Sequence, residues 1–103
     1  MFVAMNRFQV QPDRAADFER IWQQRESRLQ EMPGFRAFAL LRGDNPGEYI
    51  SHSTWASRDA FRAWTQSEQF SQAHSRGPAD GVLVGHPQAS FYEAVLAEEA
   101  TAV

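Results

Sequence analysis

Cysteine is absent from the chain, and so is lysine: all 10 basic residues are arginine. Without thiols there can be no disulfide, zinc–thiolate site, iron–sulfur cluster or thiol nucleophile. No apolar run approaches the roughly 20 residues that span a bilayer. Arg7 interrupts the N-terminal apolar stretch too early for a secretory leader, so a cytoplasmic location is expected. The net charge is only −3. No basic stripe marks a nucleic-acid surface, and no basic amphipathic helix marks a membrane surface. Familiar motifs are missing as well. There is no His-x-x-x-His or His–carboxylate cluster for zinc or non-haem iron, no nucleophile elbow and no phosphate loop.

What is present is enough for one globular domain. The chain has 103 residues, 43% hydrophobic and 13% aromatic, and we expect a single domain over 1–97 with a tail at 98–103. A domain this small buries a limited share of its apolar surface, so self-association would add burial.

Residues 2–10 alternate as a strand. One parity carries Phe2, Ala4, Asn6, Phe8 and Val10, the other Val3, Met5, Arg7 and Gln9. Asn6 is out of place on the more apolar parity, because asparagine is a poor strand residue. Pro12 and Asp13 then open a helix. Its apolar stripe runs through Phe18, Ile21, Trp22, Leu29 and Met32, with Arg25 set into it, and Pro33-Gly34 ends it. Strands over 35–42 and 48–55 flank the turn-rich segment Gly43-Asp44-Asn45-Pro46-Gly47. Ser57 caps a second helix bearing Ala60, Phe61 and Trp64. The step of six residues from Trp64 to Phe70 breaks the helical period, which predicts a kink near Ser67 and a further short turn through His74. The segment 77–87 reads as a loop of unusual length for a compact domain, and 89–97 as the last strand.

The order strand–helix–strand–strand–helix–strand predicts an α+β, ferredoxin-like βαββαβ antiparallel sheet with both helices on one face. The Val3/Met5 face is then bare, and a two-fold dimer packing sheet on sheet, a dimeric α/β barrel, is the simplest cover.

The residues with chemical capacity admit two readings each. His52 within a strand reads as structural, and His86 beside Pro87 as solvated. His74 lies ten residues beyond Trp64, which on an ideal helix is within roughly a quarter turn of the same face. A single imidazole can ligate haem iron, but a histidine at a helix C-terminus is also favoured by the dipole. Asn6 fits a satisfied buried amide, Trp22, Trp55 and Trp64 fit core packing, and Arg25 fits a snorkelling side chain.

A resemblance adds to these readings. Met5-Asn6-Arg7, Met32-Pro33-Gly34-Phe35, Thr54-Trp55 and Ala60-Phe61-x-x-Trp64-x-x-Ser67-x-x-Phe70-x-x-Ala73-His74 are similar to motifs of the antibiotic biosynthesis monooxygenase superfamily. Within it, the chain resembles the IsdG-type haem-degrading monooxygenases over nearly its whole length. The resemblance implies His74 as the axial ligand of haem iron and Asn6 as the strand amide beside the oxygen and the attacked edge of the porphyrin. It implies Trp64 as the aromatic that ruffles the ring. Asn6, Trp64 and His74 would be the catalytic set. Trp22 and Arg25 would join His74 in holding the haem, with Arg25 suited to a propionate. Such an enzyme would open the ring with O2 and an external reductant, as a homodimer. Two other functions stay open: a cofactor-free monooxygenase acting on quinols or polyketide-like phenols, and a non-enzymatic dimeric domain that binds a small ligand.

Overall fold

The first strand, β1 (Phe2–Gln9), is the centre of the molecule. In the computed structural model, which describes residues 1–73 and 82–101, it is flanked on both sides. β2 (Phe35–Arg42) and β3 (Glu48–Trp55) form a hairpin, and β4 is Gln88–Glu93. All pairings are antiparallel, in the order β2-β3-β1-β4. The helical elements α1 (Ala15–Gln24), α2 (Arg58–Thr65) and α3 (Glu68–Ala73) complete the βαββαβ order, so the expected ferredoxin-like fold class holds.

Register places the inward side chains in rows across the sheet. Phe2 faces Trp55, Ala4 faces Ser53, Asn6 faces Ser51 and Phe8 faces Tyr49. On the other side of β1, Ala4 faces Phe91 and Asn6 faces Ala89. The core divides accordingly. One cluster gathers Phe2, Ala4, Leu29, Trp55 and Trp64, and the other gathers Phe8, Val10, Phe18, Tyr49 and Val82. Full burial of a large apolar side chain stabilises by about 1.5–3 kcal/mol, so the wholly buried Trp55 anchors the first cluster. Between the two clusters runs the polar row of Asn6 and Ser51.

Several elements follow local sequence closely. β2 and β3 have the expected bounds because the 43–47 turn and Pro33-Gly34 punctuate them. Gly34 sits at φ 84°, and a Cβ there would lie 2.6 Å from the Ala60 Cβ. The glycine therefore supplies a left-handed turn and lets α2 approach β2. Ser57 Oγ accepts from the Ala60 N–H at 3.1 Å, and Ser67 Oγ accepts from the Phe70 N–H at 3.0 Å. The kink at Ser67 thus divides α2 from α3 as expected, while His74 lies outside the described residues.

Two expectations are corrected. The first helix does not run to Met32: α1 ends at Gln24, Arg25 is extended (φ −68°, ψ 148°), and Leu29–Glu31 forms a separate 3-10 turn. Residues 23–28 are polar around the whole helix circumference, so no apolar stripe repays their continuation. Ile21, expected on the stripe, is 46% exposed. The last strand ends at Glu93 rather than at residue 97. Glu93 pairs with Phe2, the first residue of β1, and one further bond joins the Ala94 N–H to the Met1 carbonyl at 2.9 Å. Residues 94–97 lie past the paired part of β1 and belong to no strand. The 77–87 loop also carries structure where it is described, since Leu83 bridges to Val10.

Candidate active site

Small side chains at the middle of the sheet create a void. Ala4, Ser51, Ser53 and Ala89 form its floor, whereas the rows on either side carry Phe2 and Trp55, or Phe8 and Tyr49. Phe61, Trp64 and Thr65 of α2, Phe70 of α3 and Leu29 roof it over. The resulting cavity has a volume of about 170 Å³. Asn6 and Arg25 also line it.

Trp64 is held firmly. It is 6% exposed, stacks on Trp55 with ring centroids 6.2 Å apart and meets Phe70 edge-on at 5.4 Å. Asn6 is different. It is exposed rather than buried, it lines the cavity, and its amide makes no hydrogen bond among the described residues. The alternative of a satisfied buried amide therefore does not apply.

Arg25 leaves the end of α1 in extended conformation and lays its guanidinium over two rings, 4.6 Å from the Trp22 centroid and 4.8 Å from the Phe38 centroid. No carboxylate among the described residues lies within ion-pair distance of it. Burial pushes its pKa below the usual guanidinium value, although an arginine remains charged throughout the working pH range. Such a half-buried cation is ready for a ligand carboxylate.

Arg25 and Phe38 also line a second, more open cleft of about 410 Å³. Trp22 belongs to this cleft, stacked on Phe38 at 5.7 Å. At its far end Arg42 donates to Glu19 through Nε at 2.8 Å and Nη2 at 2.6 Å. The Tyr49 hydroxyl donates to the same carboxylate. The Arg42 bond, followed by the Tyr49 bond, holds the Glu19 pKa below the usual carboxylate range. Burial, followed by the bond to Glu19, raises that of Tyr49.

Of the residues singled out from sequence, Asn6, Arg25 and Trp64 thus share one cavity, and Trp22 stands in the adjoining cleft. His74 falls outside the described residues. Sequence reading missed Ser51, Ser53 and Phe38. The signal for the first two was available: inward positions of β3 read Tyr49, Ser51, Ser53, Trp55, with two hydroxyls where a core strand needs apolar groups. Among the described residues no group of three or more His, Asp or Glu side chains could hold a metal ion. No described helix is long and apolar enough to cross a membrane.

Sheet, helix layer and cavity define a class: small α+β domains with a cavity between the helices and the inner face of the sheet. The family model for antibiotic biosynthesis monooxygenases matches residues 1–76, and the chain belongs to that family. Solved structures agree. The haem degrader MhuD of Mycobacterium tuberculosis, with two haems bound in its active site, is 26% identical. It superposes with a TM-score of 0.77 over 96% of this chain and 100% of that one. A variant of MhuD holding two manganese protoporphyrin IX per active site gives a TM-score of 0.80 at 25% identity, over 97% and 100% of the two chains. SnoaB of Streptomyces nogalater, a cofactor-independent oxygenase, shares the fold with a TM-score of 0.68 at 24% identity, over 93% and 94%.

Proposed function

We propose that this monooxygenase-family chain degrades haem, binding it as substrate and opening the porphyrin ring with O2 and an external reductant. The observation that carries this reading is the unpartnered Asn6 amide in the cavity roofed by Trp64, with the unpaired Arg25 guanidinium on the same wall. The likeness to MhuD over 96% of this chain and 100% of that one supports it.

The donor set suits a tetrapyrrole: aromatic walls, one amide and one cation for a propionate. A macrocycle exceeds the 170 Å³ cavity and would extend past Arg25 and Phe38 into the 410 Å³ cleft that they also line. Arg25 would then exchange its two ring contacts for a carboxylate. Bound haem supplies the iron that activates oxygen. Asn6 holds an N–H donor at the sheet wall, where charge developing on oxygen during ring attack would be stabilised. Trp64, fixed by Trp55 and Phe70, sets the height of the cavity and keeps water out. His74 is assigned as the iron ligand from its motif.

The size of the smaller cavity favours a second reading. A volume of about 170 Å³ suits a quinol or polyketide-like phenol that itself reduces oxygen, with Asn6 and Trp64 positioning it.

Haemin titration separates the two. The haem reading expects a shifted, sharpened Soret band saturating at one haem per chain, lost in His74→Ala. Asn6→Ala should bind haemin almost as the wild type does, yet slow Soret loss under O2 and ascorbate by roughly 10²-fold, the scale of removing one preorganised donor. No Soret change, with metal-free oxidation of a quinol, favours the second reading. Wild-type haemin affinity and Soret decay in Asn6→Ala would remove Asn6 from the active site.

A further inference from the structure

Ser51 is 7% exposed and is the buried polar residue of the described core. Its hydroxyl makes no hydrogen bond to any described residue. A hydroxyl on a buried residue is disfavoured unless a partner or an opening reaches its oxygen, whereas an alanine would fill the same place on the sheet without that demand. No side-chain polar atom among the described residues is both wholly buried and unpartnered, so the Ser51 oxygen retains an opening, and the space beside it is the 170 Å³ cavity. The neighbouring Ser53 behaves otherwise. Its Oγ accepts from Trp55 Nε1 at 3.0 Å and donates to the Ala4 carbonyl at 3.4 Å, which satisfies it within the core.

Ser51 lies directly opposite Asn6 in the β1–β3 register. Side chains so paired project from the same face with Cβ atoms about 4.5–5.5 Å apart. Two unpaired polar groups therefore stand side by side on the cavity floor, between the two apolar core clusters. Their spacing lets one acceptor atom receive a bond from each.

We infer that Ser51 is a ligand-contacting residue that donates, together with the Asn6 amide, to one oxygen atom of the bound species. The acceptor is an oxygen bearing partial negative charge: a diatomic ligand on haem iron, or the carbonyl of a quinone. The inference rests on the placement of the reaction beside Asn6. The two donors come from different strands, so their separation is set by the sheet and needs no reorganisation when a ligand arrives.

The test compares wild type, Ser51→Ala and Ser51→Thr, the last keeping the hydroxyl on a residue that strands favour. Carbon monoxide on the ferrous haem complex is the first probe, read by its C–O stretching frequency. Loss of a donor to the oxygen moves that band to higher wavenumber. Ser51→Ala should show this shift at unaltered haemin affinity, Ser51→Thr should restore the wild-type band, and the melting temperature of Ser51→Ala should not fall. Menadione is the second probe and decides the matter where haemin does not bind, the outcome that removes the haem reading alone. Its Kd should rise about 5–10-fold in Ser51→Ala, the scale of one hydrogen bond, and return in Ser51→Thr. An unchanged C–O band in a haem-binding Ser51→Ala protein overturns the inference. So does an unchanged menadione Kd where haemin does not bind, or a wild-type protein that binds neither probe.

Discussion

Asn6 and Arg25 look alike as breaks in a hydrophobic pattern, yet different forces place them. Asn6 occupies its inward position because the β1 alternation leaves it no other, and the small neighbours Ser51 and Ala89 keep it from being packed over. Arg25 is where it is because α1 stops before it, which turns the side chain onto Trp22 and Phe38. Cation–π contact of this kind contributes about 0.5–2 kcal/mol. Gly34 shows the residue scale most directly. Gly34→Ala must hold a left-handed backbone and also press on Ala60, whereas Gly85→Ala meets the same backbone demand at φ 78° with nothing within 4 Å. The backbone cost alone is about 1–3 kcal/mol. Urea unfolding should therefore show a lower midpoint for Gly34→Ala than for Gly85→Ala. Equal midpoints would mean that the approach of α2 to Gly34 does not matter for stability.

Between elements, one carboxylate ties the first helix to the hairpin. Glu19 on α1 receives Arg42 from β2 and Tyr49 from β3. The other ion pairs, such as Arg14–Asp17 at 2.7 Å and Arg20–Asp17 at 3.1 Å, are local to their own segments and contribute little. The folded-state pKa of Glu19 lies below its ordinary value of 4.5. Its stabilising contribution is thus fully present above that ordinary value and is lost as pH falls through the lower folded value. Thermal unfolding across acid pH should show the wild type losing stability more steeply than Glu19→Gln in that window, with the two curves running parallel above it. Parallel curves throughout would mean that the Glu19 bonds do not couple α1 to the sheet.

For the whole molecule, the outer face of the sheet decides the assembly. Val3, Met5, Ile50 and Thr54 on this face are only partly buried, and Leu41 and Tyr92 are 45% and 52% exposed. No described helix covers them. A standard stable interface buries about 1,200–2,000 Å², and a second copy laid sheet against sheet is the occupant we propose. Sedimentation velocity at micromolar concentration should give a dimer, and Ile50→Asp, which puts a charge at the centre of that face, should give a folded monomer. A monomeric wild type would remove the dimer proposal and leave the cavity, on the opposite face, untouched.

The strand pattern, the turns and the fold class were readable in the sequence because each rests on local chemistry. Alternation marks β1, Gly34 and the 43–47 segment bound β2 and β3, and Ser57 and Ser67 cap the helices that follow them. The motifs around Asn6, Gly34, Trp55 and Trp64 pointed to the family to which the chain belongs. The end of α1 at Gln24 was not readable, since Leu29 falls in phase with the helical stripe whether or not the helix continues. Nor was the end of β4, which depends on where β1 begins, more than eighty residues earlier in the chain. The inward hydroxyls of Ser51 and Ser53 stood out in the β3 pattern, but which of the two is left without a partner did not. Register sets Ser51 opposite Asn6, and tertiary packing bonds Ser53 to Trp55 and Ala4 while leaving Ser51 unbonded, a distinction between distant neighbours that no local pattern encodes.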